Sequence, residues 1–141
     1  MTTADELNDL NAQIIAEFRA NGGRVGGRFE GATLLLLHTT GARSGKERVN
    51  PLVCMANGDR LLVFASKAGA PTHPDWYHNL VAHPRVTVEV GAETYEATAS
   101  TLEGEERDRI YAIQAERSPI FAEYQQKAGD RAIPIVALDR T

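Results

Sequence analysis

Four consecutive leucines, Leu34 to Leu37, constrain the fold of this chain more than any other feature. The run spans a strand and falls far short of the ~18 apolar residues of a bilayer span. Side chains alternate along a strand, so an all-leucine strand needs apolar cover on both of its faces. The expected strand runs from Thr33 to Thr40 and ends in a turn at Gly41 to Gly45. Arg48 to Ala56 and Arg60 to Ser66 read as the next strands. Asn57-Gly58-Asp59 forms the hairpin turn between them, because Asn and Gly tolerate positive φ.

A loop from Lys67 to Thr72 leads into a short helix with Pro74 at its first position and Asp75 in its first turn; His83-Pro84 ends it. Arg85 to Val90 and Thr94 to Thr101 form a second hairpin around Gly91-Ala92-Glu93. Helices follow from Leu102 to about Glu116 and from about Pro119 to Lys127, and Ile133 to Leu138 is a closing strand. Antiparallel hairpins dominate, which implies one α+β domain over residues 1–141 around a small closed or half-closed barrel.

An N-terminal helix precedes the barrel. Thr3 and Glu6 have capping-box spacing, Leu7, Leu10, Ile14 and Phe18 form one apolar face, and Asn21-Gly22-Gly23 ends the helix. Its polar face is acidic up to Arg19, so it is expected to pack on the body of the protein and not on a membrane surface. The glycines from Gly22 to Gly31 read as a loop. They lack G-x-G-x-x-G spacing and no strand precedes them, so a dinucleotide-binding turn is excluded.

The net charge of −4 argues against general nucleic-acid binding. The charge is unevenly spread, with nine Lys/Arg against four Asp/Glu in residues 19–85 and acidic segments on either side. A basic middle in an acidic chain raises the local concentration of anions. A single cysteine excludes an intrachain disulfide and a Cys-based zinc site. The N-terminus has neither a basic region nor an apolar stretch of a secretory signal, and a cytoplasmic location is expected.

Gly41-Ala42-Arg43-Ser44-Gly45-Lys46 superficially resembles a Walker A loop. It is one residue short between its glycines, lacks Ser/Thr after the lysine and precedes a strand, so nucleoside-triphosphate hydrolysis is rejected. Its glycines and the cations Arg43, Lys46 and Arg48 suit either a polar hairpin turn or an anion site. Lys67, at the exit of the third strand, is either solvated or within reach of the same anion. In His73-Pro74-Asp75-Trp76-Tyr77-His78-Asn79, Trp76 and Leu80 have core spacing. Asp75, Trp76 and Asn79 also suit the flank of a planar ligand. The spacing of His73, His78 and His83 does not build a metal site, and no G-x-S-x-G is present. Cys54 reads as core, and His38 as a satisfied buried histidine.

Thr39 to Gly45, Arg48 to Leu52, Ala65 to Pro71, His73 to Leu80 and the terminal Ile133-Pro134-Ile135-Val136 together resemble the deazaflavin-dependent nitroreductase family. The resemblance covers about residues 30–141 and leaves the N-terminal helix outside. It implies a split β-barrel of the kind that binds flavin mononucleotide, and an actinobacterial reductase, cytoplasmic or membrane-peripheral. The implied cofactor is reduced coenzyme F-420, an 8-hydroxy-5-deazaflavin. Carried over by position, Arg43, Ser44, Lys46 and Arg48, with Ala42 in the same turn, would hold the phosphate and polyglutamate end. Val49, Asn50, Pro51, Leu52 and Val53 would line the ring, and Ser66 and Lys67 would complete the phosphate grip. Asp75, Trp76 and Asn79 would flank the ring and its polyol.

The chain departs from that pattern at Ala42, where many relatives carry a second basic residue. It departs again at Ser118 and Phe121, where the nitroreductase has tyrosines; only Tyr124 remains, and the proton would come from water or from Tyr124. These departures point away from nitro compounds and toward quinones and α,β-unsaturated carbonyls or lactones as acceptors. The alternatives are a flavin-mononucleotide-dependent barrel, a non-catalytic deazaflavin carrier and, more distantly, a nucleic-acid-binding barrel. The expected assembly is a monomer or homodimer without membrane association.

Overall fold

The computed structural model describes residues 4–26, 33–58 and 60–141, with side chains from Leu10 onward. In chain order it has α1 (Ala4–Ala20), β1 (Leu34–Thr40), β2 (Glu47–Asn57), β3 (Arg60–Phe64), a short 3-10 turn (Lys67–Gly69), α2 (Asp75–Ala82), β4 (Arg85–Val90), β5 (Glu93–Thr101), α3 (Gly104–Arg117), α4 (Ile120–Ala128) and β6 (Ile135–Arg140). The six strands close into an antiparallel barrel in the order β1-β2-β3-β6-β5-β4, with β4 pairing back onto β1.

Closure supplies the two-sided cover that the leucine run demands. Leu35 and Leu37 point into the barrel with Leu52, Cys54, Val63, Val88 and Val136. Leu34 and Leu36 point outward and pack beneath Ile14 and Phe18 of α1. Burial of each such side chain contributes roughly 1.5–3 kcal/mol. On the far side, α3 and α4 cover the outward faces of β3 and β6 through Leu62, Phe64, Ile135, Ala137, Ile110 and Tyr111. Trp76 and Leu80 of α2, 6% and 2% exposed, join the interior cluster and plug one end of the barrel.

Three expectations shift. Leu10 is 39% exposed, because the apolar cover begins one turn later at Ile14. β3 stops at Phe64 because the carbonyls of Ala65 and Ser66 are taken by Arg131. β6 starts at Ile135, since the N–H of Ile133 donates to Gln125 Oε1 and its carbonyl accepts from Arg107. The proposed cap at Thr3, the side chains of Glu6 and Leu7, Asp59 of the hairpin turn, and Gly27 and Gly31 lie outside what is described.

Candidate functional site

Antiparallel closure decides which loops meet. The β1–β2 turn, the segment after β3, α2 and the approach to β6 all lie at the same end of the barrel. Around the barrel, β2 sits between β1 and β3, so the turn carrying Arg43, Ser44 and Lys46 neighbours the segment carrying Ser66 and Lys67.

The β1–β2 turn is closed by its own backbone. Gly41 N–H donates to Lys46 O at 2.8 Å, Gly45 N–H to Gly41 O at 3.0 Å, and Lys46 N–H to Ser44 Oγ at 3.2 Å. A Cβ on Gly41 would collide with that Ser44 hydroxyl. Asn79, on α2 and 8% exposed, holds the turn from below. Its Oδ1 accepts the N–H of Ala42 at 2.9 Å, and its Nδ2 donates to Thr39 Oγ1 at 3.2 Å. Asn79 thus positions the cationic turn through its amide. Arg43, Lys46 and Arg48 are exposed and make no ion pair among the described residues. Arg48 stands opposite buried Thr39 and so belongs to the inward-facing set of β2, with Asn50 and Leu52.

The other half of the β2 segment faces outward. Val49 and Val53 pack partly against the α1 cluster, while Met55, two residues on, belongs to the cluster under α3 and α4. Pro51, half-buried and opposite Leu36, lies between these two covers. The five residues Val49 to Val53 therefore divide between two faces, and only Val49, Pro51 and Val53 share the outer one.

After β3 the backbone enters a left-handed run. Ser66 is right-handed (φ −72°, ψ −40°), followed by Lys67 (φ 47°), Ala68 (φ 52°) and Gly69 (φ 78°). Two non-glycine residues at positive φ cost about 1–3 kcal/mol each, and such strain concentrates at functional sites. A right-handed residue followed by a left-handed one turns successive N–H groups into a concavity suited to an anion. The N–H groups of Lys67 and Ala68 have no partner among the described residues. Lys67 Nζ donates to Thr72 Oγ1 at 3.1 Å and is otherwise exposed. Gly69 is obligatory for packing as well as for φ. A Cβ there would lie 2.7 Å from the carbonyl oxygen of Tyr124 and 2.9 Å from Cβ of Lys127, so this turn seats α4. Tyr124 is half-buried, its ring edge-on to Phe121 at 5.5 Å.

Asp75 is exposed at the first turn of α2. Trp76 lies in the barrel plug, where its indole supports the site from beneath. His73 Nδ1 accepts from Arg131 at 3.1 Å, so the neutral ring carries its proton on Nε2. Burial, then the Arg131 and His78 charges, lower its pKa. Sequence reading missed Arg131, Arg107 and Gln125, whose partners lie on other elements.

A cavity of about 490 Å³ opens on the β4–β5 side of the same end, lined by His38, Thr40, Glu47, His83, Arg85 and Glu96 among others. None of the residues expected to bind the cofactor lines it, although Thr39, which accepts from Asn79, does. Arg85 is paired with Glu96 at 2.6 Å, so its lining offers a polyanion no uncompensated cation there. His38, expected to be a satisfied buried histidine, is satisfied but only part-buried, and faces outward between Glu89 (2.5 Å) and Glu47 (3.4 Å).

The donor set of the β1–β2 turn and the left-handed loop fits a cofactor with a long anionic tail: clustered cations without carboxylate partners among the described residues, next to a loop whose Lys67 and Ala68 N–H groups are unpaired among those residues. The sequence family whose model matches residues 12–140 is that of the F420H(2)-dependent quinone reductases. The chain belongs to this family. An F420H(2)-dependent quinone reductase of Mycobacterium tuberculosis is 40% identical over 129 residues, covering 89% of this chain and 86% of that protein. A solved F420-H2 dependent reductase is 42% identical, with a TM-score of 0.68 over 76% of this chain and 94% of that one. Another solved relative, described as a domain-swapped dimer, is 36% identical with a TM-score of 0.70 over 98% and 100% of the two chains. As a member of the F420H(2)-dependent quinone reductase family, the protein is a split-barrel oxidoreductase whose cofactor is reduced coenzyme F420. The family match begins at residue 12, so the second half of α1 belongs to the shared domain and is not an appendage.

Proposed function

We propose that the protein reduces quinones, and α,β-unsaturated carbonyls or lactones, with F420H2 as the electron donor. The quinone part is favoured by the names of the family and of its relatives. The single observation that carries the site is the meeting, at one barrel end, of the cationic β1–β2 turn and the left-handed Lys67 loop.

When bound, the deazaflavin supplies a hydride and disfavours one-electron chemistry. The protein's part is to bind and orient. Arg43, Ser44, Lys46 and Arg48, with the Ala42 backbone, hold the anionic tail from one side, and Ser66 and Lys67 from the other. The outer face of β2 at Val49, Pro51 and Val53 is the bed for the ring, with Asn50 and Leu52 supporting it from the inner face. Asp75 borders the polyol, while Trp76 and Asn79 act from below through packing and the turn. Aligning donor and acceptor can remove about 7–11 kcal/mol of barrier.

 Hydride addition to a quinone gives the hydroquinone monoanion, and one proton completes the hydroquinone. For an unsaturated carbonyl, hydride adds at the β-carbon, the electron pair moves onto the carbonyl oxygen as an enolate, and one proton completes the saturated product. Tyr124 or water supplies that single proton in both cases.

Anaerobic mixing of the protein and F420H2 with a naphthoquinone, or with a coumarin-type lactone, tests this reading. The absorbance of oxidised deazaflavin should return only when protein and acceptor are both present. Binding of F420H2 without oxidation by any acceptor would make the protein a carrier. Tight binding of flavin mononucleotide with no deazaflavin binding would overturn the site assignment. We read the assembly as a monomer or homodimer in the cytoplasm, acting without nucleic acid or membrane. Among the described residues no helix is long and apolar enough to cross a membrane.

A further inference from the structure

We propose that Arg131 is a positioning residue that shapes the Lys67 loop for the cofactor's anionic tail. This inference rests on the reading that Ser66 and Lys67 grip that tail. Arg131 lies between α4 and β6, yet its guanidinium spans the whole segment after β3. Nε donates to Ala70 O at 2.9 Å, Nη1 to Ala65 O at 3.0 Å and to His73 Nδ1 at 3.1 Å, and Nη2 to Ser66 O at 2.7 Å. These partners bracket the left-handed residues Lys67, Ala68 and Gly69. Holding the Ser66 carbonyl on the Arg131 side turns the N–H of the same trans peptide, that of Lys67, the other way.

The fork is itself anchored. Gln125 Nε2 donates to Arg131 O at 2.8 Å, and Gln125 Oε1 accepts from Arg107 Nη2 at 2.6 Å and from Ile133 N–H at 3.0 Å. Arg107 Nη2 also donates to Ile133 O at 2.8 Å. α3 and α4 thus fix the backbone from which Arg131 reaches the loop. A lysine has the charge but not the planar spread of donors, so it cannot hold Ala65, Ser66 and Ala70 together.

The test is a set of fluorescence titrations of the cofactor-free protein with two ligands: the complete oxidised coenzyme, and the deazaflavin fragment that ends at its ribityl chain. Arg131→Lys and Arg131→Met should weaken binding of the complete coenzyme by about tenfold or more, and that of the tail-less fragment by less than about twofold. Equal weakening of both ligands, or no weakening of either, would overturn the positioning role. Should Arg131→Met fail to fold, Arg131→Lys is read by the same two titrations. Lys67→Ala separates the two readings. Unchanged affinity for the complete coenzyme would sink the tail grip itself. Loss with Lys67→Ala but none with Arg131→Lys would sink only the role of Arg131.

Discussion

The side-chain oxygen of Asn79 accepts the backbone N–H of Ala42 at 2.9 Å, tying the helix that plugs the barrel to the turn that carries its exposed cations. The same amide donates to Thr39 Oγ1. Asn79→Ala leaves both groups without their partner, at a cost of about 1–3 kcal/mol. Urea unfolding should show that loss as a lower midpoint with an unchanged slope. Coenzyme affinity should fall with it, because the turn that presents Arg43 and Lys46 loses its support. An unchanged urea midpoint would show that the Asn79 bonds do not hold the turn.

Gly69 should be intolerant of any side chain. Its φ of 78° disfavours alanine, and the added Cβ would press on the Tyr124 carbonyl and Lys127 of α4. Gly69→Ala is expected to destabilise the fold by about 2 kcal/mol or more. It should also lower turnover with quinones, since α4 carries Tyr124. Ala68→Gly is the complementary variant. It relieves a left-handed alanine (φ 52°) and should leave stability equal or higher. A thermal melt of the two variants side by side checks both signs.

Much of this architecture was legible because it follows local rules. The leucine run demanded cover on both faces and found it in the barrel interior and α1. The hairpins followed from glycine and asparagine placement, and α2 begins one residue later than expected, at Asp75, with Pro74 as its extended N-cap and not its first helical residue. What stayed hidden depends on long-range contacts. Arg131 bonds to carbonyls more than sixty residues away, and neither periodicity nor a motif marks such a partner. Trp76 has both core and ligand-flanking spacing, and only barrel closure assigns it to the plug. His38 interrupts an apolar strand, but its outward register places it beside Glu89, 51 residues on.

Glu89 gives the fold an acid-sensitive clasp. Its hydrogen bond with Arg19, followed by that with His38, depresses its pKa from 4.5 to about 2. A carboxylate whose pKa is lower in the folded state stabilises the fold above its unfolded pKa. That contribution disappears as pH falls through the folded value. A shift of this size corresponds to at most about 3 kcal/mol. Arg19 is 52% exposed, so solvent and salt reduce the real contribution. Between pH 6 and pH 3 the wild-type urea midpoint should fall further than that of Glu89→Gln, and added salt should narrow the gap. Parallel pH dependence in the two proteins would show that the α1 clasp contributes nothing.

Cys54 should be chemically silent in the native protein. It lies in the barrel interior, 8% exposed, and burial pushes its thiol pKa up to about 11. The thiolate is the reactive form, so at pH 8 only about 0.1% of the population carries it, against about a quarter for an ordinary thiol of pKa 8.5. Burial also denies the reagent access. Iodoacetamide labelling followed by mass spectrometry should therefore be slow in native buffer and complete after unfolding in guanidinium. Cys54→Ala should keep hydride transfer, because no step assigned to the site uses sulfur, while losing some stability to the small void it leaves. Rapid native labelling, or loss of turnover in a folded Cys54→Ala protein, would put the thiol in the chemistry after all.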